Sequence, residues 1–148
     1  MPFVRLRFIV NHQDRIELQA VAEKLDIGFF QRHVFLCIGQ ECCDGAIGEA
    51  AWDKLKTLMK KRGLSLSREP NACYRTKVGC LRVCQKGPIL VVYPEGTWYF
   101  GMTEDKIERF VQEHLVDGQP IEDWIFARNP LPKPLPNPSE TGNSAELG

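Results

Sequence analysis

The feature that most constrains this chain is the placement of its cysteines. Five of the six fall in two close sets, Cys37 with Cys42 and Cys43, and Cys80 with Cys84. The residues between the sets, 44–79, leave room for a helix and a strand, so both sets can lie on neighbouring loops of one small fold. Thiolates are the soft ligands that hold zinc and iron–sulfur clusters. The pattern therefore predicts a metal centre on two loops, and it favours electron transfer over hydrolysis.

The spacing within the two sets narrows the chemistry of this predicted centre. No Cys-x-x-Cys sequence occurs, which argues against a thioredoxin-type dithiol, because that chemistry needs close spacing to form and break a disulfide. A structural zinc site accepts spacings of this kind and stays open as an alternative, as do inert buried thiols. Cys73 lies within a predicted strand, where we expect a small apolar residue of the sheet.

Length and charge limit the class of protein. The chain has 148 residues and a formal net charge of zero. That length suits one ordinary domain, and the charge balance indicates neither a nucleic-acid partner nor a membrane surface. No apolar run approaches the length that spans a bilayer, and the arginines within residues 1–10 are unlike a secretory signal. Because free thiols are typical of reducing compartments, we expect a cytoplasmic protein.

The apolar pattern predicts an N-terminal extension followed by an α/β core. Residues 4–10 alternate as in a strand, and Asp14 with Glu17 resembles a capping box for a helix that Gly28 ends. The core has a strand at 33–36, an amphipathic helix through Trp52 and Leu55, a strand at 73–78, a hairpin from 89–93 to 98–100, and a helix after Thr103.

The C-terminal part changes in composition. Residues 121–126 predict one more short helix, and five prolines follow between 130 and 138. Such a segment cannot bury a core, so we expect a flexible tail. The predicted organisation is a strand–helix extension over residues 1–30, a core domain over 31–118, and a short helix with a Pro-rich tail over 119–148.

Three strings of the core resemble a known family. They are HVFLC at 33–37, GCLRVC at 79–84 and GPILVVYPEGTWY at 87–99. Together they resemble the thioredoxin-like [2Fe–2S] ferredoxins, including the Shethna-type proteins, and the cysteine layout is similar to the small cluster-bearing subunit of NADH:quinone oxidoreductase. The resemblance covers residues 31–118. It implies a thioredoxin-like α/β fold with a mixed four-stranded sheet and helices on its faces, a [2Fe–2S] cluster on four cysteines, and often a homodimer.

The resemblance also implies a ligand set. Cys37 matches the first ligand, and Cys80 and Cys84 match the third and fourth. For the second ligand, the family places apolar helix positions at fixed distances after the cysteine. Counting from Cys43 places them at Ala51, Trp52 and Leu55, whereas counting from Cys42 places Lys54 in the core. We therefore expect Cys43 to be the second ligand, with Cys42 as the alternative.

These observations predict a one-electron carrier rather than an enzyme, since the sequence offers no recognisable acid–base pair or substrate motif. Such a carrier would work with protein redox partners as donor and acceptor. Two alternatives stay open at this point. One is an electron-relay subunit of a larger oxidoreductase complex, and the other is a zinc-stabilised interaction module.

Overall fold

A computed structural model describes residues 11–133, which form a five-stranded sheet with three helices. In chain order the elements are α1 (His12–Lys24), β1 (Arg32–Cys37), α2 (Gly45–Lys61), β2 (Cys73–Val78), β3 (Leu90–Tyr93), β4 (Thr97–Tyr99), α3 (Glu104–Phe110) and β5 (Ile125–Arg128). The helix α3 continues as a π-helical segment, Val111–Val116, and a short 3₁₀ turn, Glu122–Trp124, precedes β5.

The strand order places the end of β1 beside the end of β2. The sheet runs β2-β1-β3-β4-β5, and β1 pairs with β2 in parallel while the other neighbours pair antiparallel. A parallel pair needs a crossover connection, which α2 supplies. In the register Cys37 lies opposite Val78. The loops that follow the two strands therefore start side by side, and these are the loops that carry the cysteines.

The sheet is mixed, as expected, but it has five strands rather than four. The prediction of a helix over residues 121–126 is wrong beyond Trp124, because the chain turns there and then extends into β5. Trp98 pairs with Ala127 and Thr97 pairs with Arg128, so the added strand completes the edge beyond β4. An edge strand forms its hydrogen bonds with a strand that is distant in the sequence, so the local apolar pattern does not predict it.

The main core lies between one face of the sheet and the helices α2 and α3. Alternation along β1 turns Val34 and Leu36 inward, where both are fully buried. The apolar stripe predicted for α2 is confirmed, since its inward side chains are buried in the same cluster. The helix and sheet residues of that cluster include Ala51, Trp52, Leu55, Leu58, Met59, Leu90, Val92, Ile107, Phe110 and Leu115.

The opposite face of the sheet is covered differently from the expectation of helices on the sheet's faces. It carries the half-buried rings of Phe35, Tyr74, Tyr93 and Trp98, which the register places on the side away from Val34. Among residues 11–133, the remaining helix, α1, buries none of its side chains. The helices that contribute to the core therefore lie on one side.

The predicted strand at residues 4–10 lies outside the described residues, but the helix after it is present. It begins earlier than predicted, because Asn11 rather than Asp14 caps it: the Asn11 side chain accepts hydrogen bonds from the backbone N–H groups of Gln13 and Asp14. The helix ends at Lys24, ahead of Gly28. None of the helices within residues 11–133 is both long and apolar enough to cross a membrane.

Candidate metal centre

The first cysteine loop, residues 38–44, begins directly after β1 and folds into a tight turn. The backbone N–H groups of Cys42 and Cys43 both donate to the carbonyl of Gly39, at 3.0 and 3.2 Å. A Cβ atom on Gly39 would lie 2.0 Å from the carbonyl oxygen of Gly79. Since no side chain fits in that space, Gly39 lets the two cysteine loops touch backbone to backbone.

The second cysteine loop, residues 79–89, winds around its own sulfur atoms. Arg82, Cys84 and Lys86 have φ angles of 68°, 57° and 56°, in the left-handed region that side chains rarely adopt. The winding brings the Arg82 N–H to 3.1 Å from the Cys80 Sγ, and it brings the Cys80 and Cys84 Sγ atoms to 3.8 Å from each other. The loop therefore presents its two thiols as a pair.

Gly87 joins the second loop to the first. Its N–H donates to the carbonyl of Cys42 at 3.0 Å, and a Cβ atom added to it would lie 2.2 Å from the Cys42 Sγ. The peptide bond that follows, to Pro88, is cis. The Cys42 side chain thus occupies the space that any side chain at position 87 would need.

Between the two loops lies a cavity of about 250 Å³. Four thiols line it, those of Cys37, Cys42, Cys80 and Cys84. Its remaining wall consists of Gln40, Glu41 and Gly79. The structure therefore brings together three of the four expected ligands and adds Cys42.

Cys43 does not line this cavity. It is half-buried, and its Sγ lies 3.2 Å from where a Cβ atom on Gly48 would be, next to the first turn of α2. The choice of Cys43 over Cys42 therefore disagrees with the cavity. The apolar stripe of α2 is as predicted, but helix phase cannot select the ligand, because α2 begins only at Gly45 after its N-cap Asp44. The non-helical link lets adjacent cysteines point in different directions.

The two thiol pairs differ in burial. Cys37 and Cys42 are buried, whereas Cys80 and Cys84 are exposed. Burial, together with the neighbouring Cys37 thiol, raises the pKa of Cys42 to about 12. The pKa of Cys84 is also raised, first by its contact with the Cys80 thiol. Without a bound metal the thiols of Cys42 and Cys84 hold their protons, so metal binding to these two thiols must release protons.

The thiols form two pairs rather than one tight group. Within the described part of the chain, no three His, Cys, Asp or Glu side chains converge on a point that would hold a single metal ion. Two sulfurs at about 2.3 Å from one tetrahedral metal lie roughly 3.8 Å apart, and the Cys80–Cys84 pair already has that separation. Paired thiols suit a binuclear cluster, in which each iron takes two protein ligands, better than a single zinc ion.

Cys73 lies apart from the cavity, at the start of β2. It is buried in the main core, and burial raises the pKa of its thiol to about 12. This placement agrees with the expectation of a small apolar residue in the sheet.

The fold and the thiol-lined cavity together define a thioredoxin-like protein with a cysteine site at one end of its sheet. The thioredoxin-like [2Fe–2S] ferredoxin of Aquifex aeolicus has this fold, with a TM-score of 0.57 at 22% sequence identity. The match covers 72% of this chain and 99% of that structure. The expected fold class is thereby confirmed.

Sequence relatives identify the family. A protein named "Ferredoxin, 2Fe-2S" from Aquifex aeolicus is 26% identical over 104 residues, which are 68% of this chain and 94% of that protein. A "Putative 2Fe-2S ferredoxin" from Priestia megaterium is 30% identical over 96 residues, 65% of this chain and 70% of that protein. No family model matches the chain. The chain belongs to the 2Fe–2S ferredoxins, which confirms the resemblance drawn from the sequence.

Proposed function

We propose that Cys37, Cys42, Cys80 and Cys84 hold a [2Fe–2S] cluster and that the protein is a one-electron carrier. The observation that carries this proposal is the cavity lined by these four thiols. Its supports are membership of the 2Fe–2S ferredoxin family and the 3.8 Å separation of the Cys80 and Cys84 thiols. Cys43 takes no part in this ligand set.

The exposure of the proposed ligands indicates where an electron would enter and leave the cluster. When bound, the cluster supplies one-electron redox chemistry, and four thiolates with two sulfides give it a net negative charge. The Arg82 N–H donates to the Cys80 sulfur, which stabilises negative charge at that ligand. Because Cys80 and Cys84 are exposed while Cys37 and Cys42 are buried, we place the docking side for redox partners at the second loop.

We also propose a carrier rather than an enzyme, acting between protein donors and acceptors in the cytoplasm. Free thiols at all six cysteines suit a reducing compartment.

A homodimer is supported by the family resemblance and by the half-buried rings of Phe35, Tyr74, Tyr93 and Trp98 on the sheet face opposite the helices. Light scattering on the purified holoprotein tests the dimer, and a monomeric mass would contradict it.

The cluster itself is tested by spectroscopy on anaerobically purified full-length protein. We expect visible absorption bands, an electron-paramagnetic-resonance signal on one-electron reduction, and iron and sulfide in equal amounts. A folded protein that stays colourless after reconstitution with iron and sulfide would contradict the proposal. Zinc in place of iron would instead favour the interaction module.

A further inference from the structure

The cavity wall contains more than sulfur. Gln40 and Glu41 are the two residues that precede Cys42 in the first loop, and both line the cavity. Cys84, a proposed ligand from the other loop, lines the same cavity as Glu41. A carboxylate of one cysteine loop therefore shares a cavity with a proposed ligand of the other loop.

A carboxylate in this position opposes reduction. Adding an electron to an already anionic site increases the repulsion between the site and any negative charge close to it. Within the cavity, the side chains other than thiols are one amide and one carboxylate. The neighbouring positive group, the Arg82 guanidinium, belongs to an exposed residue of the second loop. Glu41 is thus the charged side chain placed directly against the site.

We infer that the Glu41 carboxylate holds the reduction potential of this carrier below the value that its four thiolates alone would give. Gln40 lines the same cavity without a charge, so a carboxylate introduced at position 40 should lower the potential in the same way. This inference rests on the proposed cluster. Glu41 acts here as a tuning residue, through its field on the site and without ligating iron.

The charge can be removed or doubled at neighbouring positions of one loop. In the full-length holoprotein, we expect Glu41→Gln to raise the midpoint potential and Gln40→Glu to lower it, while Glu41→Asp stays near the wild-type value. The potentials are measured by spectroelectrochemical titration. Because Glu41 is exposed, the shift should shrink as salt is added.

A matched control is Glu69→Gln. Glu69 is also an exposed carboxylate, and it precedes β2, at the opposite end of that strand from Cys80. It should leave the potential unchanged, so a shift in Glu41→Gln alone excludes an effect of net charge.

The outcomes separate this inference from the proposed function. If wild-type protein forms no cluster, the function fails first. If Glu41→Gln binds a full cluster with the wild-type spectrum and an unchanged or lower potential, the function stands and the inference is overturned. Should Glu41→Gln fail to fold, Gln40→Glu decides: a lowered potential supports control from this wall, and an unchanged one overturns it.

Discussion

At the scale of single residues, two glycines decide how closely the cysteine loops approach each other. A side chain at position 39 would collide with Gly79, and a side chain at position 87 would collide with Cys42. The atoms in contact are backbone atoms or the Cys42 side chain, a proposed ligand, and they cannot move aside without opening the cavity. The geometry of the site therefore depends on the absence of a Cβ atom at positions 39 and 87.

We expect Gly39→Ala and Gly87→Ala to reduce cluster content strongly, because each added methyl would overlap atoms only 2.0 to 2.2 Å away. Gly45→Ala is the control, since nothing lies within 4 Å of a Cβ atom at that position near the same site. Iron and sulfide counts per folded chain are the measurement. Full clusters in both first variants would show that the loops approach differently from the structure.

The adjacent thiols of Cys42 and Cys43 make a second prediction at this scale. Cys43→Ala should keep the wild-type absorption and paramagnetic-resonance spectra, because the thiol lies outside the cavity. Cys42→Ala should lose the cluster or change its spectra, since it removes a buried thiol that we propose as a ligand. The reverse pattern would support Cys43 as the second ligand, as expected from the sequence.

Arg82 provides a charge test of opposite sign to Glu41. Arg82→Glu should lower the reduction potential on the order of tens of millivolts at low salt, because a cation near the Cys80–Cys84 pair favours the added electron. Lys60→Glu makes the same charge change at the far end of α2 and serves as the control. An unchanged or raised potential in Arg82→Glu would remove its side chain from the mechanism.

At the scale of elements, a buried polar network ties α3 and its π-helical continuation to the β3–β4 turn. The Tyr99 hydroxyl accepts a hydrogen bond from the Ile121 N–H at 3.1 Å and lies 2.7 Å from the His114 Nδ1. The His114 Nε2 lies 3.4 Å from a Glu95 oxygen, and Arg32 donates to the other oxygen at 2.7 Å. The hydroxyl can then donate to Nδ1, which leaves the ring proton on Nε2, facing Glu95.

This network predicts a loss of stability in acid. Burial lowers the pKa of His114 below its ordinary 6.5, although Glu95 partly offsets the effect. The unfolded chain therefore binds a proton that the folded chain excludes, and stability falls as the pH drops below about 6.5, by up to about 1.4 kcal/mol per pH unit. Denaturant titrations of wild type and His114→Gln between pH 5 and 8 measure the difference.

The variant should show a flatter pH profile than wild type. The pKa of His33 is also lowered by burial, but this residue is present in both proteins, so their difference isolates His114. His12→Gln, at an exposed position of α1, should leave the profile unchanged. Parallel profiles for wild type and His114→Gln would contradict the role of the buried imidazole.

At this scale, the sequence predicts well the elements that are set by the spacing of apolar and turn residues within a short segment. The apolar stripe of α2, the strand ending at Cys37 and the hairpin with its turn at Gly96 each follow from spacing within a few residues. The strand β5 was missed because its residues are mostly exposed and gain their hydrogen bonds from β4. The choice between Cys42 and Cys43 stays a prediction for a related reason, since the Cys42 thiol packs against Gly87 of a distant loop and the local sequence does not show that contact.

At the scale of the whole molecule, the cysteine loops extend from the ends of β1 and β2, and the second loop contains an unfavourable backbone conformation. Three residues of the second loop stay in the left-handed region, a conformation that costs free energy unless the surroundings maintain it. The cluster would supply that restraint by binding the folded chain only.

Removal of the cluster with a chelator should therefore lower the Tm. Amide hydrogen exchange should rise in residues 38–44 and 79–89, with little change in β1 and β3, whose buried side chains belong to the main core. Mass spectrometry of the exchanged protein measures both regions, and reconstituted protein is the control. Equal exchange in the apo and holo forms would show that the loops hold their shape unaided.

The parallel pairing of β1 with β2 has a consequence for biogenesis. The buried thiols of Cys37 and Cys42 are separated along the chain from those of Cys80 and Cys84 by the whole crossover, and Gly87, which contacts Cys42, lies later still. A ribosome-bound fragment that ends within α2 contains Cys37 and Cys42 but lacks the second cysteine loop, which lines the other side of the cavity. The proposed cluster needs both loops, so iron and sulfide could be inserted only after synthesis has passed the second loop. The assembly machinery would then act on a chain that already contains all four proposed ligands.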